Sequence, residues 1–168
     1  MTAARKSRGL HRNWVFAPKT AQKFDEMIER LSAETHFGSL VVHRSSGALV
    51  GMITIGHIIR GPLQSAFIAY YAFADHARQG LMREGMQLVL AYAFNKLKLH
   101  RLEANIQPGN RPSLKFIERC GFIREGFSRR YLKIGGRWRD HERWALLAED
   151  WRRLRRERRS PRRTPELE

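Results

Sequence analysis

Residues 65–106 read SAFIAYYAFADHARQGLMREGMQLVLAYAFNKLKLHRLEANI. The first part, 65–73, is β-prone and apolar on both faces, the composition of a strand central in a sheet. Residues 74–80 form a short polar loop. From Leu81 to Lys98 the chain keeps the helical period, with Met82, Met86, Val89, Leu90, Ala93, Phe94 and Leu97 on one face. Residues 101–106 then read as another strand. Strand, loop, helix and strand within 42 residues imply an α/β or α+β arrangement around a mixed sheet.

The flanks extend this order. Before it, 20–32 reads as a helix, with Phe24, Met27, Ile28 and Leu31 at helical spacing. The stretches 37–44 and 48–59 are strand candidates joined by Ser45-Ser46-Gly47, a hairpin signal, and Arg60-Gly61-Pro62 ends the second strand. After it, QPGN at 107–110 is a turn, and Pro112 suits the first turn of a helix running to about Cys120. Gly121 is placed to stop that helix in the left-handed conformation. Residues 123–127 and 130–134 are further strand candidates, Gly135-Gly136 is a hairpin turn, and 138–147 returns as a strand. A terminal helix is expected from Glu149 to about Arg159, with fraying in SPRRTPELE beyond it. Residues 1–19 contain no clear periodic element. The expected organisation is a basic segment at 1–19, a single domain at 20–151, and an Arg-rich helix and tail at 152–168.

Composition narrows the class. Apolar residues make up 42% and charged residues 29% of 168 positions, so the chain is globular and not disordered. No apolar run reaches the length of a membrane span, and the basic start lacks the apolar core of a secretory signal. The one cysteine, Cys120, excludes a disulfide framework and fits a reducing, cytoplasmic setting. Seven histidines show no metal-binding spacing, so no metal is expected. Lys and Arg number 32 against 16 acids, a net charge of +16, and the tail 152–168 holds eight arginines against Glu157, Glu166 and Glu168. Such a surface suits a polyanion, whether nucleic acid, a ribosome or a phosphate-rich cofactor, and repels polycationic amines, while a basic surface with no such partner is the plain reading.

The loop Asp75-His76-Ala77-Arg78-Gln79-Gly80 joins a strand end to a helix start. Consecutive backbone N–H groups and the positive end of the helix dipole make this a place for phosphate, although an ordinary turn has the same sequence look. Asn110 and Ser113 have the spacing of a helix N-cap.

Four stretches place the loop in context: AYYAFADHARQGLMREGM, LHRLEANIQPGNRPS, FIERCGFIREGFSRRYLKIGGRWRDH and ERWALLAEDW. In their order and spacing, the chain from roughly Gln64 to Asp150 resembles the GNAT superfamily of acetyl-CoA-dependent N-acetyltransferases. Within it the chain looks most like the ribosomal-protein-alanine N-acetyltransferase branch. The resemblance implies that Ala77, Arg78, Gln79, Gly80, Leu81 and Met82 grip the cofactor pyrophosphate through their amides. Ala77 stands where the family has Gln or Arg, and Arg78 where it often has glycine. The resemblance also implies two splayed strands, 65–73 and 101–106, with the pantetheine arm between them. The backbone of Tyr71, Ala72 and Phe73 would meet its amides, and Asn110 and Ser113 would lie beside the cofactor thiol.

Attack of a neutral amine on a thioester needs a proton acceptor for the amine and an acid for the departing thiolate. The family's central-strand glutamate is missing from SAFIAYYAF, and its usual tyrosine position is Ile117. Ser113 is therefore the expected acid. Glu103 is the preferred base, with Glu84 as the other candidate and a pairing of Glu103 with Arg101 or Lys98 as the plain structural reading. Asp140-His141 matches the family's W-x-D-H segment, where a structural hydrogen bond is expected. The family usually opens with a strand before its first helix, and none is legible in 1–19. The implied activity is transfer of acetyl from acetyl-CoA to a protein N-terminal amine. A small-molecule amine, or a catalytically weak ribosome- or RNA-binding module, are the alternatives. A monomer or homodimer without membrane attachment is expected.

Overall fold

The computed structural model describes residues 2–12 and 14–159. Six strands, β1 (Phe37–Val42), β2 (Leu49–Ile59), β3 (Ser65–Ala72), β4 (Arg101–Ile106), β5 (Ile123–Ile134) and β6 (Arg137–Leu147), form one sheet in the order β1-β2-β3-β4-β6-β5. All neighbours are antiparallel except β3 and β4, which run parallel. A parallel pair needs a crossover, and the helix α4 (Leu81–Asn95) provides it. The mixed sheet with flanking helices is the architecture the sequence implies.

The main core lies on one face. Met86, Val89, Leu90, Ala93 and Phe94 of α4 join Ile53 and Ile55 of β2, Ile68 of β3, and Leu102 and Ala104 of β4 in one buried cluster. The helices α5 (Arg111–Arg119) and α6 (Ala148–Arg159) close it with Leu114, Ile117 and Trp151. Trp151 packs on Phe94 at 5.4 Å between ring centroids. Full burial of each such side chain contributes about 1.5–3 kcal/mol. Cys120 and Phe122 belong to the same cluster, and Gly121 between them takes φ +101°, a conformation open to glycine but strained for other residues.

The predicted elements hold, with three differences. The two candidates at 123–127 and 130–134 are one strand, bent where the β5–β6 register shifts between Ser128 and Leu132. Arg130 sits at φ +46° in that irregularity, and its N–H donates to Asp140 Oδ1 at 2.7 Å. The helix expected at 20–32 is α3 (Ala21–Leu31), N-capped by Thr20, but none of its residues is buried, and Phe24 and Ile28 stay exposed. The segment read as lacking elements contains two short helices, α1 (Thr2–Lys6) and α2 (Arg8–His11). Too short for a periodic signal, they are held by tertiary contacts: Ala4 and Ala17 pack on Phe73 at the end of β3, with Tyr71 beside them. No strand precedes β1 among the described residues. The fraying expected at 160–168 falls outside them.

The feature that positions the site is where β3 and β4 part. They pair only at Ser65–Arg101, Ala66–Leu102 and Phe67–Glu103. Beyond Phe67 and Glu103 both strands continue without pairing to each other. A gap in the middle of the sheet therefore opens toward their C-terminal ends.

Candidate active site

The backbone that faces this gap follows from the ladder. Phe73 N–H donates to Val50 O at 2.7 Å, on the β2 side. Antiparallel pairing alternates, so Tyr71 also turns its backbone to β2, while Ala72 and Tyr70 turn theirs toward the gap. Of the three residues expected to meet the pantetheine amides, only Ala72 presents its main chain there. Its carbonyl is engaged by His11 Nε2 at 2.8 Å. The next N–H on that side, of Ala74, donates to Ser7 Oγ at 2.9 Å. Residues 7 and 11, in a segment read as featureless, thus line the gap's mouth. Neither lies near a recognisable motif, and their role arises from long-range packing alone.

At the mouth, a 3₁₀ turn at Ala74–His76 leads into the loop before α4. Arg78 and Gly80 take φ of +65° and +84°, and Gly80 is the N-cap of α4. Nothing lies within 4 Å of a Cβ built on Gly80, so its φ and not the space requires glycine. Among the described residues, the five consecutive N–H groups of Arg78, Gln79, Gly80, Leu81 and Met82 donate to no protein acceptor. The loop follows a strand end and opens a fifteen-residue helix, which makes those free donors a fit for a pyrophosphate. Ala77 differs, since its N–H is used on Ala74 O at 3.1 Å.

Ser113 lies in the first turn of α5. Its Oγ is 2.9 Å from the hydroxyl of Tyr70, which also reaches the Ser113 carbonyl at 3.2 Å. Burial pushes the Tyr70 phenol well above its ordinary value, so it remains a neutral O–H donor. The sequence reading, which by resemblance places the thioester near Tyr70–Phe73, gives the Tyr70 hydroxyl no role. Two residues after buried Ile68, it shares that residue's face by strand alternation, and this spacing is the only signal that could have found it. Asn110 caps α5, accepting from Ser113 N–H at 3.4 Å. The cap leaves the NH2 end of the carboxamide unused.

Glu103 is bonded to Arg101 at 2.8 Å, and the same guanidinium holds both oxygens of Glu125. Arg101 keeps the Glu125 carboxyl below its ordinary range. Glu103 thus sits at the closed end of the gap, opposite Phe67, inside an ion-pair cluster. A carboxylate already paired with a guanidinium is a poor proton acceptor. Glu84 is exposed in the first turn of α4 and lines a groove of about 870 Å³ between β1 and α4, not the gap. His141 is buried, with Nδ1 3.0 Å from Arg139 O, and burial lowers its pKa below 6.5. Burial pushes the Cys120 thiol up to about 11, which leaves it inert.

A splayed parallel pair at the sheet centre and a donor-rich loop at its mouth are the geometry the quoted motifs imply. Residues 2–123 match the acetyltransferase (GNAT) domain. The chain belongs to the GNAT acetyltransferase family. A Bacillus subtilis (strain 168) relative, "Probable N-acetyltransferase YjcK", is 41% identical over 132 residues, 79% of this chain and 71% of that protein. The "[Ribosomal protein uS5]-alanine N-acetyltransferase" of Escherichia coli (strain K12) is 32% identical over 103 residues, 61% of this chain and 53% of that protein. Among solved structures, "Mycobacterium smegmatis RimJ in complex with CoA-disulfide" superposes with a TM-score of 0.79 at 26% identity, covering 94% of this chain and 82% of that one. This GNAT protein is an acetyl-CoA-dependent acetyltransferase. No helix among its described residues is long and apolar enough to cross a membrane.

Proposed function

We propose that this acetyltransferase acts on the α-amine of a protein N-terminus, with alanine-type termini as the preferred class. The observation that carries the reading is the similarity to the uS5-alanine N-acetyltransferase. Two features support it. Among the described residues, the helices on the sheet face opposite α4 are short (α1, α2) or without a buried residue (α3), which leaves a peptide end a route to the gap from that side. The net charge of +16 favours targets embedded in RNA-rich particles and disfavours polycationic amines.

In this reading the free amides from Arg78 to Met82 hold the pyrophosphate of acetyl-CoA, and the Ala72 N–H and the Asn110 NH2 meet its arm. Ser113, backed by Tyr70, supplies the proton to the leaving sulfur. The proton acceptor assigned to Glu103 would first have to leave Arg101. The protein works in the cytoplasm, and its basic surface gives weak, sequence-independent contact with RNA or ribosomes.

The test compares an alanine-terminated peptide, the same peptide with a blocked N-terminus, and a small free amine, at low and near-physiological salt. The free-terminus peptide should be acetylated at both salts, whereas ribosome association should fade as salt rises. Efficient acetylation of the small amine with none of the peptide would favour the alternative, a small-molecule acceptor.

A further inference from the structure

His11 is buried to 5% exposure at the rim of the gap. Its Nε2 lies 2.8 Å from the carbonyl oxygen of Ala72. A carbonyl can only accept, so Nε2 carries the hydrogen, and in the neutral ring Nδ1 carries the lone pair. That Nδ1 is buried and has no hydrogen-bond partner among the described residues. A buried polar atom without a partner is uncommon and calls for an explanation.

Its surroundings supply one. The ring stands edge-on to Tyr71 at 5.3 Å and near Phe73 at 6.4 Å. Tyr71 shares the side of β3 with Phe67, which faces the same way as Glu103 in the parallel register. On that side of β4, two residues past Glu103, lies Asn105, whose Oδ1 is also buried without a partner. Two unfilled acceptors therefore lie toward the same face of the sheet, one on α2 against β3 and the other on β4 across the gap.

We infer that His11 is the base of the reaction: its Nδ1 receives the proton of the attacking amine, while Asn105 Oδ1 accepts a second N–H and orients the nitrogen. The inference rests on the acetyltransferase reading of the gap. As the nitrogen–carbon bond forms and the carbon–sulfur bond breaks, one proton passes from nitrogen to Nδ1. The bonding pair leaves on sulfur, which takes a proton through Ser113 or from solvent, and His11 returns its own to solvent. The products are an amide and a thiol. The Nε2–H bond to Ala72 strengthens when the ring becomes cationic, so the backbone both fixes the tautomer and stabilises the charged base. Tyr71 is the titratable group against the ring. Lys6 and Asp75, paired at 3.5 Å, together with Arg5, Arg8, Arg12 and His76, are the charged or titratable groups on the elements around it.

The test uses the full chain. Glutamine at 11 can keep the donor to Ala72 but has no basic nitrogen. His11→Gln should retain the thermal shift given by acetyl-CoA and lose about 10²-fold in kcat. In His11→Ala, added imidazoles should restore turnover in proportion to their basicity. Long-range proton–nitrogen spectra of the wild type should show the Nε2–H tautomer at His11, a readout independent of turnover. An unchanged rate in His11→Gln, rescue indifferent to basicity, or an Nδ1–H tautomer would each overturn the inference. A wild type that acetylates small amines but no peptide defeats the proposed acceptor and leaves the His11 test standing, since the nucleophile is an amine in both cases.

Discussion

The side of the sheet under α4, α5 and α6 is filled by one continuous apolar cluster that runs from Ile53 to Trp151. On the opposite side the one buried cluster among the described residues is Ala4, Ala17 and Phe73, and helix α3 leaves Phe24 and Ile28 exposed. The first side holds the fold. On the second, the buried acceptor atoms His11 Nδ1 and Asn105 Oδ1 have no hydrogen-bond partner among the described residues. The gap between β3 and β4 lies within the sheet, where both sides meet it. In the proposed reaction the packed side supplies Tyr70 and Ser113, and the open side supplies His11 and Asn105. Stability thus comes from the packed surface, whereas the proposed chemistry draws on both surfaces of the same strands.

The contrast is broken most directly in the core. Phe94→Ala, at 1% exposure, should cost about 3–5 kcal/mol in denaturant unfolding. Phe24→Ala, at 42% exposure, should stay within about 0.5 kcal/mol. Comparable losses would mean that α3 is packed more tightly than its exposure shows. In turnover, Ser113→Ala should lower kcat by about 10²-fold, roughly 2.7 kcal/mol, with acetyl-CoA binding kept. Tyr70→Phe should cost less, because it removes only the support. Equal binding and equal rates in Ser113→Ala would remove the packed side from the chemistry.

Two smaller effects sharpen the picture. Burial holds His141 below 6.5 in the folded protein, whereas the unfolded chain protonates near 6.5. The unfolded state therefore binds more protons between the two values. The contribution of His141 is complete above pH 6.5 and is lost as pH falls through the folded value. Unfolding midpoints between pH 5 and 8 should show that slope, and His141→Asn should flatten it. Arg78→Gly should raise stability by about 0.5–1 kcal/mol, because Arg78 pays for φ +65°. A loss there would show that the arginine side chain makes up for its backbone.

How much of this was legible depended on whether the information was local. The stretch 65–106 carries its fold in its own periodicity, and α4 begins at Leu81 as its residues imply. The Gly80 turn and the Asn110 cap are likewise local signals. The parting of β3 and β4 was implied by the family resemblance alone, because no residue at 68–72 or 104–106 marks it. Tyr70 meeting Ser113 spans 43 positions, and His11 meeting Ala72 spans 61. Such pairs have no signature in a single chain. Glu103 illustrates the converse: it stands at the right strand, but Arg101 and Glu125 from neighbouring positions decide what it can do.

Amide hydrogen exchange with and without acetyl-CoA tests the central claim, that the parted strands and the loop before α4 form the cofactor site. Protection should appear in 68–72, 78–82 and 104–110, leaving the β1–α4 groove at 37–45 and 84–92 unchanged. Protection confined to that groove, with none along the parted strands, would contradict it.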